Sequence, residues 1–122
     1  MKSLAYNLFR AKKIEFIFRA DETLNEKKLT LEQRRNFFLI FKESINNIVK
    51  YAEATSASIV ITDEKDSIKL HIEDNGVGFD TTQEIIGNGV KSMNRRAAEM
   101  KAQFKIKSSK GVGTQIELIL KS

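Results

Sequence analysis

The 122-residue chain has no cysteine, no proline, no tryptophan and a single histidine. Without cysteine, neither disulfides nor a thiolate metal site can form. No apolar run approaches the length of a membrane span, and Met1-Lys2-Ser3-Leu4 opens a mixed, charged segment rather than a signal peptide. Repeats and low-complexity linkers are missing too. Two nucleotide fingerprints are absent: there is no Gly-x-x-x-x-Gly-Lys-Ser/Thr phosphate loop, and Gly87-x-Gly89 lacks the third glycine and the preceding strand of a dinucleotide site. Glycine is scarce, and its six copies fall in three pairs, Gly76/Gly78, Gly87/Gly89 and Gly111/Gly113.

What remains is enough for one domain with a real core. The formal charge of +5 raises nucleic acid as a partner. The phenylalanines argue against it. They sit in apolar stripes (Phe38, Phe41) or in the stretch Ile14 to Phe18, not on a basic face where bases could stack. No nucleic acid and no membrane contact is expected.

Periodicity maps the chain. A helix is expected near Ser3 to Lys12 and a strand at Ile14 to Ala20. A long proline-free helix follows from about Thr30 to Glu53, with Thr30 or Asn25 as its cap and Glu32 in its first turn. Strands at Ala57 to Asp63 and Ser67 to Glu73 flank a tight turn at Glu64-Lys65-Asp66. In the second, Ile68, Leu70 and Ile72 alternate with polar residues, the pattern of a strand with one buried face. Val90, Met93, Ala97 and Met100 predict a helix to Lys101 that starts directly after a glycine pair. Strands Phe104 to Lys107 and Gln115 to Leu120 close the chain. Strands with helices on one face give an α+β fold, a two-layer α/β sandwich with a mixed sheet.

Three segments carry chemistry. In the long helix, Phe38, Phe41, Ile45, Ile48 and Ala52 recur at steps of three and four, so they form one apolar stripe. Glu43, Asn47 and Lys50 follow the same spacing about half a turn away. Asparagine is a mediocre helix former, so Asn46-Asn47 on a polar face asks for a reason beyond solvation. The second segment, Asp74-Asn75-Gly76-Val77-Gly78, ends a strand with an acid and two glycines. Alone it reads equally well as a hairpin turn. The third, Gly87-Asn88-Gly89, would free backbone N–H groups at a helix start for an anion, or merely form a loop.

Taken in order with Gly111 to Thr114, these segments resemble the ATP-binding domain shared by histidine kinases, gyrase, Hsp90 and MutL, the GHKL or Bergerat fold. The similarity covers roughly Thr30 to Lys121, and Glu43 to Ala52 looks most like sensor histidine kinases. Tyr51 stands where many relatives carry histidine, and Arg95 where some carry glutamate. The resemblance implies ATP and Mg²⁺ as ligands. Asp74 would accept a hydrogen bond from the exocyclic amine of adenine, where guanine would oppose one acceptor with another. Asn47 would coordinate Mg²⁺ through a neutral amide oxygen. Glu43 would be catalytic, polarising the attacking group. Lys50, Tyr51, Gly76, Gly78, Gly87, Gly89 and Thr114 would complete the nucleotide site, with Phe79 to Gly87 as a short lid. The basic excess at Lys91, Arg95, Arg96, Lys101, Lys105, Lys107 and Lys110 lies near the proposed phosphate end and reads as a solvated surface with some steering of nucleotide.

A histidine kinase also needs a phosphoacceptor histidine. His71 lies mid-strand on the polar side and is an exposed strand residue rather than an acceptor. The resemblance therefore implies the cytoplasmic catalytic domain of a larger, membrane-anchored or free, parent kinase, inactive alone, with residues 1–13 as the tail of a dimerisation domain. Its partners would be ATP, a histidine-bearing dimerisation domain and, through that domain, a response regulator. Two other classes stay open: a stand-alone serine kinase of the anti-sigma-factor type with this fold, and a basic binding module without enzymatic activity.

Overall fold

The computed structural model describes residues 1–23, 29–78 and 84–121, with the backbone alone for Tyr51 and residues 84–88. Helix α1 (Lys2–Ala11) buries Ala5 and Phe9 completely, and the Phe9 ring packs 5.2 Å from that of Phe16 on β1 (Glu15–Ala20). The first helix is thus built into the core of the domain.

Helix α2 (Leu31–Asn47) starts at Thr30, whose hydroxyl accepts the Gln33 N–H at 3.0 Å while the Gln33 side chain accepts the Thr30 N–H at 2.9 Å. This reciprocal pair satisfies two donors that a helix start leaves free. Asn25, the other expected cap, lies outside the described residues. The apolar stripe differs from expectation at its beginning: Phe37 is buried and Phe38 is 39% exposed. At 100° per residue, Phe37, Ile40, Phe41, Ser44, Ile45, Ile48 and Ala52 share one arc, and Phe38 falls just outside it. After Asn47 the helix widens into a π turn, Ile48–Ala52, and ends on Glu53 in the left-handed region (φ 51°).

Strands β2 (Ser56–Glu64), β3 (Ser67–Asp74), β4 (Gln103–Ser109) and β5 (Gly113–Lys121) complete a five-stranded sheet in the order β1-β2-β3-β5-β4. β1 and β2 run parallel, joined by the α2 crossover, and every other pair is antiparallel. Phe18, Ile59, Ile72, Ile116 and Ile106 form a continuous cross-strand row beneath the helices. The opposite face is mostly polar, with Ile17, Val60 and Ile119 as its apolar members. His71 lies there, half-buried, with Nε2 3.6 Å from Glu73 and Glu117 as its register partner.

The third helix corrects the expected boundary. α3 spans Glu84–Glu99, so Gly87 and Gly89 lie inside it and not in a loop before it. A glycine costs a helix only about 1 kcal/mol, which neighbouring turns and packing readily outweigh. α3 runs antiparallel to α2: Met93 Sδ meets Ser44 Oγ at 3.4 Å, and Asn36, 3% exposed, donates to Glu99 at 3.3 Å and accepts from Arg96 at 3.4 Å. The expected lid residues 79–83 lie outside the described residues.

Candidate functional site

At one end of the sheet the apolar surface gives way to a polar row. Ser108 faces Thr114 across β4–β5, and Thr114 faces Asp74 across β5–β3. Asp74 and Thr114 are 6% and 8% exposed, a depth at which polar groups need partners. Asp74 Oδ1 accepts the Gly76 N–H at 2.8 Å, and the Thr114 backbone N–H also favours the charged form of this carboxylate. Burial pushes the Asp74 carboxyl above its ordinary range, and those two N–H groups pull it only part of the way back. An acid whose pKa rises on folding stabilises the fold while protonated, and that contribution is lost as pH rises through the raised value. The ionised form is therefore held against the preference of the fold.

Asp74 and Thr114 open into a cavity of about 40 Å³ between α2 and the sheet. Its other walls are Ser44, Asn47, Ile48, Ala52, Ile72, Gly78, Ile106 and Ile116. An apolar slot with a few convergent polar groups is the usual form of a small-molecule site. A larger groove of about 1020 Å³ runs from α1 past the starts of β1 and β2 to Asp74, Asn75 and Val112; it is open and carries charges of both signs, among them Arg10, Lys13, Glu15 and Glu73. It encloses little, and the smaller cavity is the better candidate.

The glycines of the Asp74 loop serve the chain's own packing. A Cβ on Gly76 would stand 2.1 Å from the Ala52 carbonyl oxygen, and one on Gly78 (φ 67°) 2.0 Å from that of Ser109. The Val77 N–H donates to Ala52 O at 2.7 Å, so the π turn, the loop and the β4–β5 hairpin close on one another. Asn75 pins the arrangement: its Oδ1 accepts the N–H groups of Thr55 and Ser56 at 3.0 and 2.9 Å, and its Nδ2 donates to Thr55 Oγ1 at 2.8 Å. Gly113 (φ 122°) is equally constrained, because a Cβ there would meet Asp74 O at 2.2 Å. Gly113→Ala combines a forbidden backbone angle with a clash, and a loss of about 2–4 kcal/mol is expected in urea unfolding. A midpoint unchanged from wild type would show that this hairpin adapts freely.

Glu43 and Asn47, both half-buried, meet over the helix pair. A Cβ on Gly89 would lie 2.8 Å from Glu43 Oε1 and 3.5 Å from Asn47 Nδ2. Gly89 thus faces the two polar groups singled out on α2. The expectation that the Gly87/Gly89 pair opens a helix start fails, because the Gly89 N–H falls within the α3 hydrogen-bond ladder. Lys50 is exposed and outside the cavity lining, since the π turn breaks the spacing that aligned it with Asn47. The Tyr51 side chain lies outside the described residues.

Two of the basic residues expected near the phosphate end lie away from it. Arg96 bonds Asn36, and Lys101 follows the far end of α3, about 18 Å from Gly89 at 1.5 Å per residue. Two further polar residues at or beside the cavity were not singled out from the sequence. Ser44 is fully buried because its hydroxyl donates to Ile40 O at 2.8 Å. Ser108 continues the inward alternation of Phe104 and Ile106, a signal that was present in the sequence.

The fold belongs to a known class. The chain belongs to the family of histidine kinase-, DNA gyrase B- and HSP90-like ATPases, whose profile matches residues 32–122. It is similar to the sensor histidine kinase ComP of Bacillus subtilis, at 30% identity over 93 residues, or 74% of this chain and 12% of that protein. It is also similar to the sensor protein VraS of Staphylococcus aureus, at 33% identity over 84 residues, or 68% of this chain and 24% of that protein. The chain therefore spans a quarter or less of these relatives. Among solved structures, the blue-light activated histidine kinase of Erythrobacter litoralis superimposes with a TM-score of 0.79 at 15% identity, covering 98% of this chain and 40% of that one. Histidine kinase AdeS of Acinetobacter baumannii gives 0.69 at 15% identity, covering 98% and 64%. The α+β fold is that of the histidine kinase ATP-binding domain, and the family uses ATP. Among the described residues, no helix is long and apolar enough to cross a membrane.

Proposed function

We propose that this domain binds Mg²⁺-ATP and donates the γ-phosphoryl group to a histidine on a separate dimerisation domain of a parent kinase. The observation that carries this is the buried Asp74 carboxylate at the mouth of an apolar slot, beside Thr114. A carboxylate so placed accepts an amine hydrogen, and adenine offers one where guanine offers a carbonyl. The slot as it stands has room for a few waters, so entry of a base requires its walls to part.

Asn47 and Glu43 fit the metal and catalytic roles. Among the described residues no group of three or more His, Cys, Asp or Glu side chains could cage an ion. A Mg²⁺ that takes most of its ligands from phosphates and water needs only one or two from protein, and the Asn47 amide oxygen suits it. The ion would supply charge neutralisation at the phosphates. Glu43, beside Asn47, would polarise the attacking imidazole. In the transfer a phosphorus–nitrogen bond forms as the γ-phosphorus separates from its bridging oxygen, and ADP leaves. Gly78, in the slot wall, and Gly89, opposite Glu43 and Asn47, would leave room beside the nucleotide, and Lys50 would contact phosphate from the helix end. The histidine-bearing domain and the response regulator are partners by the same reading, as the relative ComP is a sensor histidine kinase.

Nucleotide choice tests the assignment. Mg²⁺-ATP and Mg²⁺-ADP are expected to raise the melting temperature by several degrees at about 100 times Kd, a stabilisation of about 2.7 kcal/mol. GTP should do little. Asp74→Asn should lose most of the ATP shift while staying folded, because it removes a charge that burial already disfavours. Equal shifts with ATP and GTP would count against Asp74 as the reader of the base.

A further inference from the structure

The polar row at the end of the sheet extends one strand beyond the groups considered so far. Ser108 Oγ lies 2.8 Å from Thr114 Oγ1 and 3.3 Å from the Gly113 carbonyl oxygen. A hydroxyl has one hydrogen and can accept as well as donate. When Ser108 donates to Gly113, its oxygen is the natural acceptor for the Thr114 hydrogen. When Ser108 donates to Thr114, the Thr114 hydrogen is released toward the cavity that Thr114 lines. The direction of this one bond decides whether the wall beside Asp74 presents a donor or an acceptor.

We propose that Ser108 is a positioning residue for base recognition: given the adenine site above, its hydrogen bond to Thr114 Oγ1 turns the Thr114 hydrogen toward adenine N1. Adenine carries an amine donor beside a bare ring nitrogen, and an acceptor at Asp74 beside a donor at Thr114 is its complement. Guanine and hypoxanthine carry the reverse, a carbonyl beside a ring N–H. Asp74 and Thr114 are register partners on neighbouring strands. Strands lie about 4.8 Å apart, a spacing that suits two side chains converging on adjacent atoms of one ring edge. Ser108 touches no base atom in this arrangement and acts through Thr114.

The test pairs a substitution with an altered ligand. Mg²⁺-ADP and its 1-deaza analogue, in which N1 is a C–H, are titrated into the full chain and into Ser108→Ala, with folding checked by melting. Wild type is expected to prefer ADP. Ser108→Ala should weaken ADP about fivefold to tenfold, the worth of one hydrogen bond, and leave the analogue unchanged. Ser108→Thr, which keeps the hydroxyl, should restore the preference. If Ser108→Ala does not fold, Ser108→Cys supplies the same comparison with a weak donor of similar size. Equal weakening of both ligands, or no change in ADP binding, would overturn the role of Ser108 while leaving the nucleotide site standing. Wild-type chain that binds neither ligand would overturn the nucleotide site itself and this role with it.

Discussion

Replacing Asn47 by alanine is expected to abolish Mg²⁺-dependent ATP binding while leaving the fold nearly as stable as wild type. Asn47 is half-buried at the cavity wall, and its Nδ2 faces Gly89 across the helix pair, so little apolar packing depends on it. Six residues earlier on the same helix, Phe41 has no exposed surface. Phe41→Ala should cost about 3–5 kcal/mol by opening a cavity beneath α2, and binding should fail only because the domain unfolds. The two variants are separated by measuring the ATP-induced shift in melting temperature together with urea unfolding of the free protein. An Asn47→Ala chain that is itself unfolded would show that this face of α2 supports the core. One that still binds Mg²⁺-ATP normally would remove Asn47 from the metal.

The largest catalytic effect is expected at Glu43. The isolated chain should bind ATP yet show almost no autophosphorylation, because transfer depends on an acceptor held in line with the γ-phosphorus. Adding a histidine-bearing dimerisation domain in trans should yield acid-labile, base-stable phosphate on that partner. Glu43→Ala should then slow transfer by about 10²–10⁴-fold, the range for loss of a general base, with ATP affinity nearly unchanged. His71→Gln should leave transfer as it was, since His71 lies on the sheet face away from the cavity. Strong labelling of His71 in the isolated domain would mean that the acceptor lies within this chain. Acid-stable phosphoserine on a partner protein would instead favour a serine kinase of the anti-sigma-factor type.

Much of this arrangement was legible from residue order. Alternation in β3 and the stripe through Phe41, Ile45 and Ile48 define two elements, because burial of one face imposes a period of two on a strand and 3.6 on a helix. The same periods place Asp74 on the buried side of β3, two residues past Ile72, and Glu43 and Asn47 one helical turn apart. The order of acid, glycine and asparagine segments was sufficient for the family. These are local properties, fixed by how a chain repeats along its own axis.

What the tertiary structure alone decided concerns contacts between distant segments. Spacing predicted that Gly87 and Gly89 precede a helix; packing of α3 along α2, through Met93 on Ser44 and Glu99 on Asn36, carries the helix through them. Spacing aligned Lys50 with Asn47; the π turn, closed against Val77 by the Ala52 carbonyl, takes it out of line. The glycine loops looked like space left for a ligand, and three of the six are required by the chain's own backbone at Ala52, Ser109 and Asp74. The row Ser108–Thr114–Asp74 exists only because β5 inserts between β3 and β4. Periodicity tells which face most residues take on their own element, Phe38 and Lys50 being exceptions here, whereas strand order and helix register decide which faces meet.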